Sequence, residues 1–174
     1  MEKQQEIEKL LKKVAESKQG KLDLSLDEDL SVAIMNLLSI EEHFFFTGAK
    51  TGKGEYFDLL NKAREMRKEL MKKIVKEPEG EIWCVSKHLL SASMRLIEVG
   101  TKYLNQNKKS EADDLFKKAY DLYSLFWGIN LKLVNVGEFK KIEPFDELRV
   151  NEKKFNLFDK LGDIVKKIID CCIE

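Results

Sequence analysis

Proline is scarce in this chain, with only Pro78 and Pro144 in 174 residues, so long stretches contain nothing that interrupts a helix. Cysteine is nearly as rare. Cys84, Cys171 and Cys172 are odd in number, and the last two are adjacent, where closing a disulfide is strained. That usage excludes a fold stapled by disulfides and points to a reducing compartment. No apolar run approaches the ~20 residues of a membrane span. The first residues, Met1 to Glu6, are too polar for a signal peptide, and the expected location is cytoplasmic. Net charge is missing altogether, since 31 Lys and Arg oppose 31 Asp and Glu. A protein held on nucleic acid by a broad basic field is therefore not expected.

What is present is charge of both signs and helical periodicity. Charged residues make up 36% of the chain, and the Lys and Glu richness is a bias seen in thermophile proteins. The length suffices for one hydrophobic core, so residues 1–174 are read as a single domain. Six helical segments are predicted. The first, at about 3–18, has one narrow apolar stripe of Ile7, Leu10, Leu11 and Val14. The second opens on a capping box, Ser25 with Glu28, and runs to about Phe46. Gly48, Gly52 and Gly54 place a break at 47–54, and a third helix runs from about Glu55 to Lys76, ended by Pro78 and Gly80. A fourth spans about Glu81 to Leu104. Ser110 with Asp113 starts the fifth, which ends between Asn130 and Val134. The stretch 135–150 reads as a long connection to a sixth helix at 151–173, with Leu161, Ile164 and Val165 on its apolar side. The fold class is all-α: a four-helix bundle over about 25–134, with the terminal helices added to it.

A few polar residues fall on apolar faces. At about 100° per residue, Leu30, Ile34, Leu37, Leu38 and Phe45 share one side of the second helix, and Glu41 lies among them while Glu42 and His43 do not. On the third helix the apolar side is Tyr56, Leu59, Leu60, Ala63, Met66, Leu70 and Ile74. Arg67 lies inside it, and Arg64 and Lys68 point elsewhere. An isolated buried charge costs several kcal/mol, so Glu41 and Arg67 each call for a partner. The fourth helix is apolar around most of its circumference and is expected to be mostly buried, leaving a strip of Cys84, His88, Ser91, Arg95 and Glu98. That strip is either a solvent edge, or a polar network in which His88, Arg95 and Glu98 face Glu41 and Arg67 across the bundle. In the second case these five residues form the candidate binding site.

The layout of residues 25–134 resembles the ferritin-like superfamily. That resemblance implies a two-metal carboxylate site, which takes a Glu from each of two helices and Glu-x-x-His from two more. Here Ile40 stands three positions before His43 and Val85 three before His88, so neither histidine completes the signature, and no metal or other cofactor is expected. Cys84 and His88 share a helix face but find no second Cys/His pair nearby. The Gly48–Gly54 segment lacks the Gly-x-x-x-x-Gly-Lys-Ser/Thr pattern of a phosphate loop. Phe44, Phe45 and Phe46 cannot all face one core, so at least one of them meets a second layer or a partner chain, while Tyr120, Tyr123, Phe126 and Trp127 read as core, with a dimer interface as the rival reading. The functional expectation is a non-enzymatic scaffold or interaction module that self-associates, a dimer being favoured, or engages a protein partner. Its alternatives are a small-molecule or anion-binding bundle and an atypical ferritin-like metal binder.

Overall fold

The computed structural model describes residues 8–9, 11–12, 24–76, 80–134 and 161–165. Four helices organise it: α1 (Ser25–Thr51), α2 (Glu55–Ile74), α3 (Glu81–Asn105) and α4 (Lys109–Asn130). Among the described residues all regular structure is helical, so the fold is all-α. Acids open the helices (Asp27 and Glu28, Glu55 and Asp58, Glu81) and bases close α2 and α3 (Lys72 and Lys73, Lys102), which suits the helix dipole.

The helix ends depart from the expected caps. Leu24, not Ser25, stands before the first turn of α1, and no side chain caps it. Leu24 is buried in the core and its carbonyl accepts the Glu28 N–H at 2.8 Å, so core packing rather than a hydroxyl sets the entry. Lys108 likewise takes the N-cap position expected of Ser110. The break expected at 47–54 shrinks to 52–54, because α1 continues through Gly48 to Thr51. A Cβ at Gly48 would sit 2.9 Å from Phe57 Cε1, so the missing side chain is what admits the α2 ring. Gly52 then ends the helix with φ of 69°, a left-handed turn that glycine takes without strain.

The helices pair as two antiparallel hairpins. In the first, Glu41 meets Arg67 while Gly48, further along α1, meets the start of α2. In the second, three contacts run in opposite directions along α3 and α4. Asn130 Nδ2 donates to Ser86 Oγ at 3.0 Å, Ser93 Oγ donates to the Ala119 carbonyl at 2.8 Å, and Gly100 abuts Phe116. Small residues at these crossings let the two backbones approach. The hairpins meet along α1 and α3, and Ser31 of α1 shares a 2.7 Å hydroxyl–hydroxyl hydrogen bond with Tyr123 of α4.

The hydrophobic core gathers at one end. It joins Leu24, Ile34 and Met35 with Met71, Ile74 and Val75, Leu89 and Leu90, and Phe126, Trp127 and Ile129. Tyr123 stacks on Phe126, and Trp127 stands edge-on to both, which bears out the reading of these rings as core. Residues 161–165 are helical and cover this end, with Leu161, Ile164 and Val165 buried as expected. The rest of the expected sixth helix, most of the first, and the connection at 135–150 lie outside the described residues.

At the other end burial is thin. Beyond Glu41 the only buried residue of α1 is Gly48, and beyond Ser93 the only buried residue of α3 is Gly100. Three apolar positions expected to be inside are therefore outside: Phe45, Leu59 and Met66 are 50%, 40% and 53% exposed. The α3 helix is also less buried than expected, with Ala92 and Ile97 exposed. An apolar stripe buries only as much of itself as neighbouring helices cover, and here each distal half is covered chiefly by its own hairpin partner.

Candidate functional site

Glu41 stands two-thirds of the way along α1, on the side turned to α2, and its buried carboxylate is held by two arginines. Arg67 Nε donates to Oε1 at 2.8 Å and its Nη2 to Oε2 at 3.3 Å, a two-pronged pairing that matches the planar guanidinium to the carboxylate. Arg64, one turn earlier on α2, donates from Nε to Oε2 at 3.0 Å. Arg67 also points Nη1 at Met71 Sδ, 3.8 Å away, which keeps the cation within the α2 stripe. Burial pushes the Glu41 carboxyl up; the hydrogen bonds and charges of Arg67 and Arg64 outweigh it and hold the group below its ordinary value. The cluster is thus an ionised knot in which arginine donors engage both carboxylate oxygens of Glu41.

One residue on, about 100° around α1, Glu42 faces α3. Arg95 Nη2 donates to Glu42 Oε2, and both side chains are roughly half exposed. This pair forms part of an open groove of about 740 Å³ between α1 and α3. Ser39, Glu42, His43, Phe46 and Lys50 supply the α1 wall, and Arg95 stands on the α3 side. Phe46, 60% exposed, packs edge-on against Phe45 with ring centroids 5.3 Å apart.

The five candidate residues therefore separate. The structure brings Glu41 and Arg67 together, and takes Arg95 to Glu42 instead. His88 and Glu98 are exposed, as is Cys84, so the strip on α3 lies along a solvent edge. Arg64, which helical phase directs away from the apolar side, reaches Glu41 nonetheless. A long side chain that stays 45% exposed can still turn its head inward, and a wheel of Cα directions does not register that reach. The groove was missed as well. Its signal was the spacing 39, 42/43, 46, 50, a second helical stripe on α1 carrying an aromatic between charges. Among the described residues no three His, Cys, Asp or Glu side chains gather closely enough to hold a metal ion, and no helix is long and apolar enough to cross a membrane. Comparison with protein-family models, with characterised proteins and with solved structures yields no match.

Proposed function

We propose that this chain is a cytoplasmic, non-enzymatic helical bundle that serves as a scaffold or interaction module and associates with itself, most simply as a dimer. The observation that carries this reading is the set of large apolar side chains left exposed in the distal halves of the helices: Phe45, Phe46, Phe57, Ile97 and Leu104. Large exposed aromatics are enriched at protein interfaces, and burying them against a partner is favourable by roughly 25 cal/mol per Å² before the costs of association. The absence of net charge removes long-range repulsion between copies. The ferritin-like likeness is kept as a likeness of layout, four helices in antiparallel pairs, without metal chemistry attached.

Sedimentation over a wide concentration range tests the proposal. Concentration-dependent growth in mass supports it; a monomer at every concentration, with no partner captured, removes it. A second reading, binding of an anionic small molecule, finds support in the two cations of the lining, Lys50 and Arg95. Titration calorimetry with inorganic phosphate and with an aromatic carboxylate, in wild type and Arg95→Ala, separates that reading from the first.

A further inference from the structure

The stripe that walls the groove has an internal symmetry. Phe46 is its exposed centre, Glu42 stands four residues before it and Lys50 four residues after, each about 6 Å along the axis at 1.5 Å per residue. Residues at i, i+4 and i+8 form one ridge of the helix surface, the element that interdigitates when two helices pack. When a helix packs antiparallel on its own copy about a two-fold axis, the residue k places before the axis lies opposite the residue k places after it. Centring that axis on Phe46 sets Glu42 of one copy against Lys50 of the other, twice. A parallel pairing would set Glu42 on Glu42 and Lys50 on Lys50, which repel.

We infer that the α1–α3 groove receives the α1 helix of a second copy of this chain, antiparallel, with Phe46 at the two-fold axis and Glu42 paired to Lys50 across it. The inference rests on the self-association proposed above and names its surface. The partners are available for it. Arg95 engages Oε2 of Glu42, and Oε1 makes no hydrogen bond among the described residues. Lys50 is exposed and has no ion-pair partner among the described residues. Phe46, packed edge-on against Phe45, supplies the apolar centre, and the ionic pairs form its rim, the arrangement in which charges set orientation more than affinity.

The test uses charge reversal with rescue on the full chain, read by sedimentation. Lys50→Glu alone places carboxylate on carboxylate at both rims of its homodimer, and Glu42→Lys alone places ammonium on ammonium. Each is expected to raise the dimer dissociation constant about tenfold or more. Mixed in equal amounts, the two variants regain both opposite-charge pairs, and the mixture is expected to return to within about threefold of wild type. Phe46→Asp, at an exposed position that folding does not need, is expected to abolish dimerisation with unchanged helical circular dichroism. If wild type dimerises and neither reversal nor Phe46→Asp weakens it, the inference fails while the self-association reading survives. If the reversals weaken the dimer but mixing does not rescue it, the antiparallel Phe46-centred register is wrong. A wild type that stays monomeric overturns both.

Discussion

The two ends of this molecule use the same kinds of residue to different effect. At the core end, apolar side chains of all four helices and of residues 161–165 close over Phe126 and Trp127, each 1% exposed. At the distal end, Phe45 and Phe46 carry as much apolar surface on a helix of the same quality, yet half or more of each ring is in solvent. The difference lies in coverage, not composition. Hydrophobic burial stabilises only where a second element removes water, so the core end carries most of the folding free energy and the distal rings contribute little to it.

Truncations give the largest effects with which to break that contrast. Trp127→Ala should cost about 3–5 kcal/mol and Leu90→Ala about 2–5, the range for buried side chains whose surroundings relax only in part. Phe46→Ala and Ile97→Ala should fall within about 0.5 kcal/mol of wild type when measured below the concentration of association. Urea denaturation followed by circular dichroism makes the comparison. Equal losses at the two ends would mean that the distal surface is covered in the folded monomer.

Glu41 marks the boundary between the ends and tests it differently. Removing the carboxylate alone, Glu41→Ala, strands the buried Arg67 guanidinium and should cost about 3–5 kcal/mol. Arg64→Ala should cost less than about 1 kcal/mol, because that side chain is 45% exposed and its charge is screened. Replacing the pair together, Glu41→Leu with Arg67→Met, should come close to wild type, since a buried ion pair contributes specificity of register more than net stability. Acid adds a sign. The folded carboxyl titrates below its ordinary value of 4.5, so its contribution is full above that pH and is lost as pH falls through the lower, folded value. The stability of wild type should therefore fall below pH 4.5 more steeply than that of Glu41→Gln. Parallel curves would show that the arginines do not hold the charge in solution.

These residues also show how much was legible in the sequence. Helical phase was enough to place Glu41 and Arg67 each among apolar neighbours, where a buried charge calls for a partner; that the two partner each other is visible only in the fold. It was not enough for His88, Arg95 and Glu98. Periodicity tells which residues share a face; it does not tell which faces other helices cover, and the strip of α3 that they occupy borders solvent. Phe45 was misplaced for the same reason, being in phase with Ile34 but beyond the point where the hairpins share a core. Long-range cover depends on how the two hairpins meet, and no local spacing encodes that.

Glycines give the finest comparison of the ends, since a single methyl group probes how far each packing yields. A Cβ at Gly128 would lie 2.7 Å from Leu161 Cδ2 and 3.1 Å from Val134 Cγ2. Both neighbours are buried, so Gly128→Ala should strain the site by about 1–3 kcal/mol. A Cβ at Gly100 would lie even closer, 2.6 Å from Phe116 Cε1, but Phe116 is only partly buried and can swing outward. Alanine favours a helix interior over glycine by about 1 kcal/mol at both sites. The substitution should thus leave Gly100→Ala near wild-type stability and make Gly128→Ala the weaker protein, although the shorter initial clash is at Gly100. Thermal melts of the two variants decide it. A larger loss at Gly100 would show that Phe116 is held as firmly as Leu161, and that the distal end is as closely packed as the core.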